Sequence, residues 1–224
     1  MDPMTHLALA TAAFLAMHYT SSTPLRNGLV RGIGENAYLG LYSLAAFATL
    51  GWMIWAYAHA PVSILWPGVR LAPLALMPVA LVLIVCGLMS RNPSAVRQQR
   101  ALRSPEATRG IMRVTRHPMM WGFALWGLAH VIARGDTAAL IFFGGFVVLA
   151  LSGTLLIDAR KATSLGEDWQ GFAAATSNIP FAAIVAGRNQ FRPRGIGWNK
   201  ILIGLALYLA LLFLHPYFFG TRPY

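Results

Sequence analysis

The chain is short of acid, short of cysteine and short of charge of any kind. Seven Asp and Glu stand against 18 Lys and Arg in 224 residues, and charged side chains make up only 11% of the sequence. With 57% hydrophobic residues and a mean hydropathy of +0.56, too little polar surface exists to cover a water-soluble domain of this size. The single cysteine, Cys86, excludes an intrachain disulfide, and its place inside an apolar run reads as a small packing residue. The first apolar run has no Lys or Arg ahead of it, so it lacks the basic region of a signal peptide and is expected to remain a helix of the mature protein. No internal repeat, low-complexity tract or interdomain linker divides the chain, and residues 1–224 are expected to form one domain.

What the sequence does have is long apolar stretches. A helix needs about 20 apolar residues to cross about 30 Å of hydrocarbon. Six stretches approach that length: Met4 to Ser22, Ala37 to Ala60, Leu71 to Ser90, Pro118 to Ala133, Thr137 to Ile157 and Lys200 to Tyr217. The expected fold is therefore an all-α polytopic membrane bundle of about six transmembrane helices. Two connections are long. Arg91 to Arg116 is rich in Arg and too polar for lipid. In Asp158 to Asn199, Ser164 and Glu167 have the spacing of a capping box, and Trp169, Phe172 and Ala173 follow at helical intervals. The latter predicts a cytoplasmic interfacial helix before the last span, and the apolar run from Ile179 to Gly187, too short to cross, a dip into the headgroup layer.

The net charge of +11 invites a nucleic-acid reading, which the distribution of the charge excludes. Loops one, three and five hold 15 of the 18 basic residues, and only Arg70, Arg134 and Arg222 fall on the other side. By the positive-inside rule those loops are cytoplasmic, both termini are periplasmic, and the arginines meet anionic lipid headgroups. Arg134-Gly-Asp136 is read as a tight hairpin turn whose glycine takes a positive φ, not as an adhesion signal.

Ionisable side chains inside spans are costly and mark functional sites. Histidine is the main case. His6 and His215 read as helix-end packing and His59 as an interfacial hydrogen bond. His18, His117 and His130 are candidates to bind a metal or heme iron or to move a proton. His117 and His130 lie about 20 Å apart on one helix and cannot share an iron. Depth along the spans pairs His18 with His117, and leaves His130 to His59, His6 or His215. Arg116 and His117 precede Pro118, which suits the first turn of a helix. Trp121, Gly122, Trp126 and Gly127 follow, small residues for a close-packed helix or flat ligand and tryptophans to stack on it.

Thr115-Arg-His-Pro-Met-Met-Trp-Gly-Phe-Ala-Leu-Trp-Gly-Leu-Ala-His130, with His18, Pro24-Leu-Arg26 and Gly34-Glu-Asn-Ala-Tyr38, resembles the NnrU family over nearly the whole chain. The resemblance implies a bacterial inner-membrane protein of nitrite and nitric oxide metabolism in denitrification. It also implies kinship with a plant carotene isomerase similar to b-type heme proteins. Carried over by position, its axial ligands fall on His18 and His130, with Arg116, His117 and Trp121 beside a heme b that supports redox or isomerase chemistry on an apolar substrate. A second resemblance is to membrane methyltransferases. Arg116-His-Pro-Met-Met-Trp-Gly122 is similar to their RHPxxxG motif, and Leu165-Gly-Glu-Asp-Trp-Gln-Gly-Phe172 and Ile179-Pro180 to their downstream elements. That implies S-adenosylmethionine at His117, although Asp158 is followed by Ala159 where those enzymes carry an acidic pair. The third expectation is an accessory factor whose Arg-rich third loop contacts denitrification enzymes.

Overall fold

The computed structural model describes residues 1–223 and is built from helices. In chain order they are α1 (Pro3–Thr20), α2 (Pro24–Ile33), α3 (Glu35–Ala58), α4 (Ala72–Met89), α5 (Pro118–Arg134), α6 (Thr137–Leu165), α7 (Glu167–Ala175), α8 (Ala182–Val185) and α9 (Trp198–Phe219). Local chemistry accounts for several boundaries. Proline occupies the opening turn of α1, α2 and α5, where its missing N–H costs nothing. Asp2 caps α1 by accepting from the Thr5 amide at 2.9 Å, and the bonds to Thr5 hold its carboxyl below the usual range. Asp136 caps α6 by accepting from the Ala139 amide at 2.8 Å.

The six long helices pack as neighbours in the order α9, α4, α5, α6, α1, α3. Four of them, α3, α4, α6 and α9, are long and apolar enough to cross a membrane. Of the other two, α5 has 17 residues, and α1 interrupts its apolar run with His6, Thr11 and His18. The helices at the two ends of the row bury least of themselves, 11% of the apolar window in α3 and 6% in α9. Leu44, Phe47, Leu202 and Phe213 on these helices are largely exposed, which is stable where the solvent is lipid and costly where it is water.

Glycine sets how closely the middle helices approach. A Cβ at Gly122 would stand 2.7 Å from the Ala80 carbonyl on α4, and one at Gly127 would stand 2.8 Å from the Phe143 carbonyl on α6. The two glycines of α5 thus seat one neighbouring helix each. Between α5 and α6, Gly135 turns the chain at φ 64°, and the 63–69 segment hydrogen-bonds across that turn, Leu65 N to Gly135 O at 2.8 Å and Thr137 N to Ser63 O at 2.9 Å. Arg134-Gly-Asp136 is accordingly a folded hairpin, with Asp136 buried and Arg134 Nε donating to it at 3.0 Å.

The fifth loop departs from expectation in one respect. Ser164 donates to the Lys161 carbonyl as part of α6, and α7 begins after a turn at Gly166 with no side-chain cap, so the capping-box spacing is not used. On α7, Trp169 and Phe172 pack on Ala107 and Leu102 of the third loop. Apolar side chains at helical spacing find a protein partner there, which a single segment of sequence does not show.

Candidate functional site

α6 is 29 residues long, about 44 Å, and outruns about 30 Å of hydrocarbon by several turns. Its overhang begins at Asp158, directly opposite the start of α5. The Arg116 guanidinium grips that carboxylate, with Nε 3.0 Å from both oxygens and Nη2 2.5 Å from Oδ2. His117 Nε2 donates to Asp158 Oδ1 at 2.7 Å. The imidazole side chain is 1% exposed, and the Arg116 and Asp158 side chains are 13% and 17% exposed. A carboxylate largely withdrawn from water is stable only when its charge and lone pairs are met, and these two donors meet them.

The chain around the motif extends the cluster to the fifth loop. Arg116 N donates to Ser177 O at 2.9 Å, Trp121 Nε1 to Asn178 O at 2.9 Å, and Thr115 Oγ1 to Asn178 O at 2.5 Å. Asn178 Nδ2 in turn donates to Thr154 Oγ1 at 2.9 Å. Arg116, His117 and Trp121 are therefore brought together, and their partners are Asp158 and Asn178. Asp158 had a detectable signal: it is one of only seven acids and it ends an apolar run. Asn178 had none, because the motif holds it chiefly through its main-chain carbonyl.

The remaining histidines sit elsewhere. His18 donates Nδ1–H to Phe14 O at 2.8 Å and packs its ring 4.2 Å from Phe14 and 6.0 Å from Tyr42. His130 donates Nδ1–H to Trp126 O at 2.8 Å and stacks 4.7 Å from Phe143. A main-chain carbonyl only accepts, so both rings carry a proton on Nδ1, and Nε2, which holds the lone pair of the neutral ring, has no hydrogen-bond partner among the described residues. That is the form in which imidazole binds a metal. His6 accepts from Trp52 Nε1 at 2.9 Å, while His59 and His215 donate to main-chain carbonyls near their own helix ends, Trp55 O and Thr221 O.

α6 serves as a ruler for the candidate iron ligands. His130 lies against Phe143, Tyr19 beside His18 bonds Ser152 at 2.7 Å, and His117 bonds Asp158. The positions Phe143 and Ser152 are separated by about 14 Å of helix, and Ser152 and Asp158 by about 9 Å. Ring contacts of 4.2, 5.2, 5.1 and 5.2 Å lead from His18 through Phe14, Phe146 and Trp126 to His130. Two nitrogens bonded to one metal stand about 4 Å apart, at about 2 Å each. Each imidazole singly suits an iron, and in this packing His18 and His130 are linked through the rings of Phe14, Phe146 and Trp126. Among the described residues no three His, Cys, Asp or Glu side chains gather as metal ligands.

Apolar helices that bury little of themselves, with ionisable side chains kept between and at the ends of them, define a polytopic helical protein of membrane type. The chain belongs to the NnrU family, whose model, described as NnrU protein, matches residues 6–223. The 15-cis-zeta-carotene isomerase of Arabidopsis thaliana chloroplasts is 46% identical over 79 residues, 35% of this chain and 22% of that protein. The isomerase of the same name from Zea mays is 40% identical over 81 residues, 36% of this chain and 22% of that protein. The chain thus matches about a fifth of the length of these relatives. No solved structure matches it.

Proposed function

We propose that this chain is a multi-pass membrane enzyme that isomerises double bonds of an apolar, lipid-dissolved polyene of the carotene kind. The observation that carries the reading is the aromatic interior between α1, α5 and α6, where Phe14, Phe146, Trp126 and Phe143 surround two imidazoles with unbonded Nε2 atoms. Aromatic faces suit a conjugated chain through stacking and dispersion, and parting these packed rings would admit an apolar substrate from the bilayer without passage through water. The identity with carotene isomerases supports the same chemistry. The test is conversion of 15-cis-zeta-carotene by membranes carrying the chain, read by chromatographic separation of the isomers.

In this reading six helices cross the membrane, with α1 and α5 shielded by longer neighbours. The setting is a bacterial inner membrane with loops one, three and five in the cytoplasm and a role in nitrite and nitric oxide metabolism. Heme b is the cofactor proposed with it, and when bound it supplies a redox-active iron. His18 and His130 are the residues that would hold it, with Phe14, Phe146 and Trp126 as the aromatic side chains between them. The residues otherwise act by holding the substrate and keeping water out, and where no iron takes its lone pair, Nε2 of His18 or His130 is the proton acceptor at hand.

A methyl-donor pocket at His117 has less support. The imidazole is buried and bonded to Asp158, whose charge is already met by Arg116, so no ionic group is left there to hold a charged ligand. The cluster is better suited to fastening the fifth loop across the ends of α5 and α6.

A further inference from the structure

The third and fifth loops meet in a cleft of about 530 Å³ lined by Arg109, Arg113, Arg192 and Arg194, with Glu106 its one acid. The two segments are joined where the backbone of Gly110, at φ 60°, lies so close to Gly195 that an added Cβ would stand 3.0 Å from the Gly195 carbonyl. Glu106 is held ionised, its carboxyl drawn below the usual range by the Ser104 hydroxyl, and it serves Arg109 at 3.8 Å. Arg113, Arg192 and Arg194 have no carboxylate at salt-bridge distance among the described residues.

Neutral groups position two of these cations without discharging them. Arg113 Nη1 donates to Asn189 Oδ1 at 2.8 Å and to Gln190 O at 3.0 Å, and Arg192 Nη2 donates to Gln190 Oε1 at 2.7 Å. Partial burial and the nearby charges of Arg192 and Arg109 draw Arg113 below its ordinary value. Gathering like charges in one cleft is unfavourable until an anion joins them, and guanidinium is the side chain best shaped to take phosphate oxygens.

Position decides what carries the phosphate. The lining residues Arg192 and Arg194 stand just before α9, and Arg113 just before α5, so the cleft lies where two long apolar helices begin. Phe191, next to Arg192 in sequence, and Trp198 and Leu202, in the first turns of α9, are exposed, and α9 is the least buried of the four spanning helices. A ligand with an anionic head and apolar chains meets both surfaces.

We propose that this cleft is a specific site for the phosphate headgroup of an anionic membrane lipid, with an acyl chain lying along α9. The site needs only that α5 and α9 enter the bilayer, and it is independent of isomerase chemistry. The experiment is native mass spectrometry of purified protein titrated in detergent with phosphatidylglycerol, phosphatidylcholine or inorganic phosphate. The wild type should prefer phosphatidylglycerol over phosphatidylcholine by about tenfold or more, and R192Q/R194Q should lose that preference at an unchanged unfolding temperature. R194Q alone, which removes a guanidinium with no hydrogen bond among the described residues, should lose part of it, and R70Q should lose none. Equal binding of the two lipids, or an undiminished preference in R192Q/R194Q, overturns the site. Saturation by inorganic phosphate that leaves no further binding of phosphatidylglycerol assigns the cleft to a soluble anion and overturns the lipid.

Discussion

His117 reaches across 41 positions of sequence to place Nε2 2.7 Å from Asp158 Oδ1, on the carboxylate that Arg116 also holds. The opening of α5 is thereby fixed to α6 at the level where α6 leaves its apolar stretch, and the fifth loop is fastened over the junction.

Asp158→Asn should therefore act first on stability. Removing the charge leaves the partly buried Arg116 guanidinium without its ionic partner, at a cost of about 1–3 kcal/mol. The unfolding temperature in detergent should fall markedly, and limited proteolysis should open the 176–181 segment. An unchanged unfolding temperature together with lost activity would instead place Asp158 in catalysis.

Backbone approach makes a sharper contrast. Gly135→Ala puts a Cβ 2.2 Å from the Trp66 carbonyl at a φ that alanine disfavours, so folded protein should be lost or strongly destabilised. Gly171→Ala, inside α7 with nothing within 4 Å, should be neutral or stabilising by up to about 1 kcal/mol. Expression level and thermal unfolding of the two variants, compared side by side, check both.

Gly127→Ala tests whether α5 and α6 are locked together. The added methyl meets the Phe143 carbonyl, and strain of about 1–3 kcal/mol should follow. Because Phe143 also carries the His130 ring, the same variant should disturb activity more than its loss of stability explains.

Much of this was legible in the sequence. The apolar stretches gave the six long helices, and Pro118 and Gly135 gave the two ends of α5, because both features depend on local chemistry. The pairing of Arg116 and His117 with Asp158 was not read, since a partner 41 or 42 positions away leaves no local pattern. The helical spacing of Trp169 and Phe172 is legible, but the apolar surface of the third loop that covers them comes from Ala107 and Leu102, single residues in an Arg-rich segment. His18 and His130 were chosen by resemblance. Their Nδ1 bonds to carbonyls one turn back are ordinary helix geometry, and the three rings between them belong to α1, α5 and α6, which only folding brings together.

Bound heme makes a further prediction. If both imidazoles hold one iron, purified protein from heme-replete cells should show a Soret band and sharp reduced α and β bands. His18→Ala and His130→Ala should each remove the six-coordinate spectrum. A colourless wild type, or full heme retention when both are replaced, would remove these ligands from the account.

The most direct measurement is turnover of 15-cis-zeta-carotene by the purified chain in lipid nanodiscs, supplied with heme and a reductant, against empty nanodiscs. The account predicts loss of the 15-cis isomer and growth of its product, abolished in His130→Ala protein that unfolds at the wild-type temperature. No conversion above empty nanodiscs by folded, heme-loaded protein would contradict it.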